Sequence, residues 1–204
     1  LGFDFSGYIE SVGAHVREFE IGDEVFGAIP TGAHAEYITV NASRGVTKKP
    51  VNMSFTEAAC VPLAGITALQ GLKDKADMKQ GDRILINGAS GGVGTFAVQL
   101  AVAFGAEVTA VTSGKNAAFV QSLGASHVVD YTTQDVGKID QTYNIIFDAV
   151  GTLPYRGFKH LLSAKGRYVT ASMHLRDVVP LGIAMLTRSR RIQTLLTSFT
   201  RMDL

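Results

Sequence analysis

Residues 83–105 read RILINGASGGVGTFAVQLAVAFG, and no other stretch of this chain restricts its fold so tightly. Arg83–Asn87 has the length and apolar content of a short buried strand, and a glycine-rich turn follows at once. After the turn Val93, Phe96, Ala97, Leu100, Ala101 and Phe104 recur at helical spacing on one face, and Gly105 supplies a C-terminal stop. A strand that runs through a tight turn straight into a helix is the first half of a βα unit, whose next strand returns parallel.

The turn itself admits two chemistries. Gly88-Ala89-Ser90-Gly91-Gly92 matches G-x-S-x-G, the elbow that exposes a nucleophilic serine. Extended to Gly94, the same residues make a cradle for a pyrophosphate. Glycines permit the tight turn, the close approach of backbone to phosphate and the helix–strand packing, and the helix N-terminus offers free N–H groups. Gly91 and Gly94 keep the G-x-x-G spacing, whereas Ala89 stands where G-x-G-x-x-G has its first glycine. A hydrolase would need an acid and then a histidine downstream, for which Asp148 with His160 or His174 can be nominated. That reading gives no reason for Gly94 or for the end of the next strand, so the phosphate cradle is preferred.

The following segments continue the alternation. EVTAVTS reads as a second strand, then a helix capped by Asn116 and ending at Leu123-Gly124. HVVDY and YNIIFDAVG read as a third and fourth strand, Tyr155–Leu162 as a helix, and GRYVTAS as a fifth strand. Near-continuously apolar strands separated by helices indicate a parallel sheet covered on both faces. Upstream, SGYIESVG, GDEVFGAI and AHAEYITV read as strands of a small β unit. Ser54 and Glu57 then form a capping box before helical sequence interrupted around Pro62 and Gly65. The expected fold is α/β, a doubly wound parallel-sheet domain preceded by part of a β domain. The boundary falls between residues 1–53 and 54–204.

Strand two ends in VTSGKN, without the acid that holds a ribose 2′-OH in NAD-binding domains. Thr112, Ser113 and Lys115 instead offer hydroxyls and an ammonium, which suit a 2′-phosphate; the alternative is a plain turn with a solvated lysine. The bulk numbers exclude little beyond this. A net charge of +1 over 204 residues gives no case for nucleic acid or a membrane surface, and Arg188, Arg190 and Arg191 read as a solvated turn. Cys60 is the single cysteine, so no internal disulfide and no cysteine-based zinc lobe can form. No run reaches the roughly eighteen apolar residues of a membrane span.

The segments GFDFSGYIESVG, GDEVFG, AHAEYITV, AACVPLAGITALQGL, GDRILINGASGGVGTFAVQLAVAFGAEVTAVTS, LGASHVVDY and IIFDAVG occur here in that order. The series resembles the medium-chain dehydrogenase/reductase superfamily, and within it the zinc-independent quinone-oxidoreductase and enone (alkenal) reductase branch. The resemblance implies a GroES-like β domain followed by a Rossmann domain, with the opening strands of the first and the last strands of the second lying outside this sequence. It also implies that the isolated 204 residues turn over no substrate.

In zinc-dependent relatives the stretch matching Gly2-Phe3-Asp4 reads Gly-His-Glu, and Leu63 stands at a second ligand position, with Cys60 out of register. His15, His34, His127, His160 and His174 show no paired metal-ligand spacing, so no zinc is expected. The resemblance places Ser90, Gly91, Gly92, Val93 and Gly94 on the pyrophosphate of NADPH, and Ser113, Lys115 and Tyr131 around the adenosine 2′-phosphate. Thr67, Val150, Gly151 and Ser172 fall on the nicotinamide side. Tyr131 reads equally as a core aromatic, and Val150 and Ser172 as plain strand ends. No catalytic acid is assigned.

A short-chain reductase is set aside because Tyr155 and Lys159, although spaced Tyr-x-x-x-Lys, follow Pro154 at a helix start. The expected activity is NADPH-dependent hydride transfer to a quinone or α,β-unsaturated carbonyl, by a cytoplasmic homodimer with no nucleic-acid or membrane partner. The alternatives are a non-catalytic NADPH-binding protein of crystallin-like or RNA-binding type, and an alcohol dehydrogenase of the same superfamily.

Overall fold

The computed structural model describes residues 1–171 and 192–194. Of these, Leu1–Ile66 fall in one compact unit and the residues from Thr67 onward in a second.

In the first unit, β1 (Asp4–Tyr8), β2 (Glu24–Ala28) and β3 (Val46–Lys48) form an antiparallel sheet in that order, with Phe5 opposite Gly27 and Phe26 opposite Thr47. Phe19, Val25 and Val46 form its core, with Phe5, Ile9, Val16, Val40 and Ala42 packed around them. Helix α1 (Phe55–Ala59) begins with a complete capping box. The Ser54 hydroxyl accepts from Glu57 N–H, and Glu57 Oε2 accepts from Ser54 N–H at 2.8 Å. The Ser54 N–H, and after it the Ser54 hydroxyl donating to the same Oε2 at 2.8 Å, hold the Glu57 carboxyl below its ordinary value of 4.5. A depressed carboxylate contributes stability above its unfolded pKa and loses it as pH falls through the folded one. Glu57→Gln is therefore expected to flatten part of the stability loss below about pH 4.5 in urea melts taken across pH, while changing little at pH 2.

Helix α2 (Pro62–Gln70) starts on Pro62, whose missing N–H and fixed φ suit the first helical position, and runs into a wider turn over Gly71–Lys75. The expected break therefore falls ahead of Pro62, and Gly65 lies within an unbroken helix.

The second unit carries six parallel strands: β4 (Arg83–Asn87), β5 (Glu107–Thr112), β6 (His127–Asp130), β7 (Tyr143–Asp148), β8 (Leu162–Thr170) and β9 (Ile192–Thr194). Their order is β6-β5-β4-β7-β8-β9, the doubly wound arrangement, with β4 at the point where the winding reverses. Helix α3 (Gly92–Ala103) follows β4 and α4 (Ala117–Ser122) follows β5. Strand residues alternate between two cores: Ile84, Ile86, Ile145 and Phe147 pack with α3 and α4, whereas Leu85 and Ile146 pack with Tyr143, Leu161 and Tyr168 on the other face. Each such buried aliphatic side chain contributes about 1.5–3 kcal/mol, which is why the apolar strands sit in the middle of the sheet.

The α/β reading is correct, with four adjustments. Residues 33–40 form no strand, because no described strand lies alongside to pair with them. The strands β3 and β9 were not anticipated, since three residues are too short to show a period. The helix expected over Tyr155–Leu162 is a single turn, α5 (Tyr155–Phe158), followed by a tight turn over Lys159–Leu161. Leu162 already pairs with Tyr143, and sheet pairing overrides the local helical pattern. Finally, α3 buries Gly94, Ala97, Val98 and Ala101, while Phe104 is 43% exposed, because the small residues let the helix lie close to the sheet. Among the described residues no helix is long and apolar enough to cross a membrane.

Candidate functional site

The parallel register brings the C-terminal ends of four strands to one edge. Asn87 pairs in register with Val111 on one side and Asp148 on the other, and Thr112 with Asp130. In open α/β sheets ligands bind outside these strand ends where the winding reverses, here after β4.

The turn after β4 is shaped by contacts that only glycine allows. Gly88 has φ +75°, and a Cβ at Gly94 would stand 2.0 Å from the Gly88 carbonyl oxygen, so α3 rests directly on the turn. Ala89 is fully buried. Gly91 sits at the N-cap with extended backbone and no side-chain cap, and Gly91 and Gly92 are exposed. At Gly92 a Cβ would find no atom within 4 Å. The first-turn N–H groups of α3 have no intrahelical acceptor. The result is an uncapped, open backbone cradle whose donors suit a phosphate, and the residues present fit a dinucleotide there.

Beside the cradle, Ser90 Oγ lies 2.8 Å from Thr112 Oγ1, and Asn116 Nδ2 donates to Ser90 Oγ at 3.0 Å and to Ser113 Oγ at 3.4 Å. Asn116 occupies the N-cap position of α4, but its side chain makes no capping bond. The expected cap is thus corrected: the amide is drawn away to the serines. Next to it, Gly114 lies against the Asp130 carboxylate, which accepts the Gly114 N–H and also binds the N–H and hydroxyl of Thr132. The Thr132 hydroxyl and N–H are the largest of these influences, and together the donors hold Asp130 below its ordinary pKa. An acid therefore stands beside the C-terminal end of β5, delivered by β6, although that end of β5 itself supplies none.

On the other side, Asp148 is completely buried at the end of β7. Its Oδ1 accepts from Asn87 Nδ2 at 2.8 Å, Val150 N–H at 3.1 Å and Gly151 N–H at 2.8 Å. Its Oδ2 accepts from Leu153 N–H at 2.9 Å and lies 3.2 Å from the Tyr168 hydroxyl. Asn87 spends its second amide hydrogen on Thr152 Oγ1 at 2.8 Å. This network sets the loop that carries Val150 and Gly151, and it ties that loop to the strand feeding the glycine turn.

Ser90, Thr112 and Ser113 are thus brought together, and Gly91, Gly92, Val93 and Gly94 form the adjoining turn and helix start. Lys115 is exposed in the turn after β5, and Tyr131 is 58% exposed, so it is no core aromatic. Val150 is 48% exposed, with its side chain over Gly88, and Thr67 is buried in α2. Ser172, His174 and the arginines at 188, 190 and 191 lie outside the described residues. Asn87, Asn116 and Asp130 are not among the residues the sequence singles out for the site, and Asp148 enters there only as the acid of the hydrolase reading. The available signal was a polar side chain closing an apolar strand, as at Asn87 and Asp148.

The hydrolase reading loses its parts here. Ser90 is bonded to Thr112 and Asn116, Asp148 is enclosed by its own loop, and the His160 ring is bonded to Gly137 O at 2.8 Å. Tyr155 packs edge-on against Tyr168 at 5.8 Å within an apolar cluster, not at the strand ends. In the β unit, Phe3 and Leu63 carry no donor atom for a metal, and the Asp4 carboxylate accepts Leu63 N–H at 2.8 Å. A groove of about 770 Å³ in the same unit, lined by Phe5, Ile9, Phe19 and Tyr37 among others, contains none of the candidate residues.

Comparisons with known proteins agree with this layout. Residues 92–202 match the family model described as zinc-binding dehydrogenase, and residues 1–51 the model described as alcohol dehydrogenase GroES-like domain. The solved quinone oxidoreductase from Coxiella burnetii superimposes with a TM-score of 0.87 at 32% identity, covering 100% of this chain and 64% of that one. The mitochondrial NAD(P)H oxidoreductase RTN4IP1 of Mus musculus is 41% identical over 163 residues, 74% of this chain and 40% of the relative. The 2-methylene-furan-3-one reductase of Solanum lycopersicum is 38% identical over 161 residues, 74% of this chain and 41% of the relative. The chain therefore spans about two-fifths of the length of these curated relatives.

Proposed function

This chain belongs to the zinc-binding dehydrogenase family of the medium-chain dehydrogenase/reductase superfamily, and from that premise we propose that it acts as an NADPH-dependent reductase of quinones or α,β-unsaturated carbonyls. The observation that carries the reading is the uncapped glycine turn at the reversal of the sheet, flanked by the hydroxyl and ammonium groups at the end of β5.

In this reading the turn of Ser90, Gly91, Gly92, Val93 and Gly94 holds the pyrophosphate, with the N–H groups at the start of α3 donating to it, while the Gly91 N–H is held by Gly88 O at 2.9 Å. Ser113, Lys115 and Tyr131 hold the 2′-phosphate, with Thr112 behind them. The loop of Val150 and Gly151, kept in place by Asp148, borders the nicotinamide together with Ser172, and Thr67 packs on the same side. Bound NADPH supplies the hydride, and the protein's part is to orient the ring and the acceptor. The zinc-free reading is supported by the donor chemistry: a phenyl ring and an isobutyl group, Phe3 and Leu63, offer a metal no lone pair. The division at residues 53 and 54, a cytoplasmic location, a homodimer, and the absence of nucleic-acid and membrane partners belong to the same proposal.

The test is a fluorescence titration of the full-length protein with NADPH and NADH, paired with NADPH oxidation against quinones, 2-alkenals and cyclic enones. NADPH is expected to bind more tightly. Lys115→Ala should weaken it about 10-fold, the worth of one partly solvated charge-assisted contact, and leave NADH within about 2-fold. Equal affinity for the two dinucleotides overturns the NADPH assignment, and no oxidation across the panel overturns the reductase.

A further inference from the structure

We propose that Asn116 is a positioning residue which, with Thr112, turns the Ser90 hydroxyl proton toward the 2′-phosphate of NADPH. The inference rests on the NADPH reading above and assigns a specificity role to two side chains that the family resemblance left unassigned or on the pyrophosphate.

A serine hydroxyl has one proton and two acceptor lone pairs. The Asn116 Nδ2 group can only donate, and it does so to Ser90 Oγ at 3.0 Å. Thr112 is 1% exposed, and its hydroxyl has no partner among the described residues other than Ser90 Oγ at 2.8 Å. A buried hydroxyl proton without an acceptor is costly, so Thr112 donates and Ser90 accepts. Both lone pairs of Ser90 are then filled. Its own proton has no acceptor among the described residues, and Ser90 is half-buried beside the open turn. The protein thus holds a hydroxyl whose remaining capacity is purely that of a donor, which suits an anion.

The direction follows from the partners. Thr112 ends β5 and Asn116 lies in the turn after it, the turn that also carries Ser113 and Lys115. Asp130 fastens that turn through the Gly114 N–H, and its carboxylate is occupied by donors from Gly114 and Thr132. The Ser90 side chain is therefore built into the β5 side of the site, while its backbone remains in the pyrophosphate turn.

The test is a double-mutant cycle in the full-length protein, reading NADPH and NADH dissociation constants by nicotinamide fluorescence, with urea midpoints recorded for each variant. Asn116→Ala is expected to raise the NADPH constant about 5-fold, the effect of one mis-set hydrogen bond, and to leave NADH within about 2-fold. In a Ser90→Ala background the same change should add less than about 2-fold, because Asn116 acts through the hydroxyl. Asn116→Asp has the same shape but presents an acceptor and a negative charge. It should pull the Ser90 proton inward and raise the NADPH constant about 50-fold. Equal losses for both dinucleotides, or an Asn116→Ala effect undiminished in Ser90→Ala, overturns the inference while the NADPH reading stands. A parent protein that binds both dinucleotides equally overturns the NADPH reading and the inference with it.

Discussion

Gly94→Ala is expected to destabilise the nucleotide-side unit by about 3 kcal/mol in urea unfolding, the upper range of overpacking costs. The added methyl would lie 2.0 Å from the Gly88 carbonyl oxygen and 2.8 Å from Ala89 Cα, and both are backbone atoms of a tight turn. No side chain can swing away to relieve the clash. Helix α3 must instead lift from the end of β4, opening the contacts of Ala97 and Ala101 with the sheet. Gly92→Ala is the matched control, because its methyl would meet nothing within 4 Å. That variant should unfold within about 0.5 kcal/mol of the parent. It should nevertheless weaken dinucleotide binding, since the proposed function puts the phosphate in that open space. Gly92→Ala binding that matches the parent's would remove the phosphate from the turn without touching the fold.

Asp148→Ala should cost more, about 3–5 kcal/mol, with loss of dinucleotide binding measured by the same titration. The carboxylate serves Asn87, Val150, Gly151 and Leu153 from a position with no solvent exposure. Its removal strands the Asn87, Gly151 and Leu153 donors in a dry interior, and each unsatisfied buried group costs about 1–3 kcal/mol. Asp148→Asn keeps the shape but turns one acceptor into a donor facing other donors, so it should recover only part of the loss. A stability change below about 1 kcal/mol for Asp148→Ala would show that the loop is held by something other than this carboxylate.

How much of this was legible beforehand differs by residue. The strand–turn–helix over 83–105 could be read because its signals are local: an apolar run, glycines at fixed offsets and a period of 3.6. Gly105 and Gly124 were read as helix stops, and both have positive φ. The capping box of Ser54 and Glu57 was equally plain, since its partners are three residues apart. Asn116 was misread for the complementary reason. Its sequence position is that of a cap, and only the neighbouring strand end shows that its amide has better partners. The helix over Tyr155–Leu162 was over-extended because Leu162 finds a strand partner in Tyr143, nineteen positions back.

The sequence by itself determined the α/β alternation, the glycine turn at the start of α3 and the residue types that face it, because each depends on neighbours within a few positions. Tertiary structure alone decided where the polar side chains at the strand ends spend their hydrogen bonds. The Ser90 hydroxyl meets Thr112 across 22 residues, and Asn87 meets Asp148 across 61. Such pairs exist only once parallel strands stand in register, since the register brings distant strand ends to a common edge. A dry interior then leaves each buried donor no acceptor but the one the fold supplies.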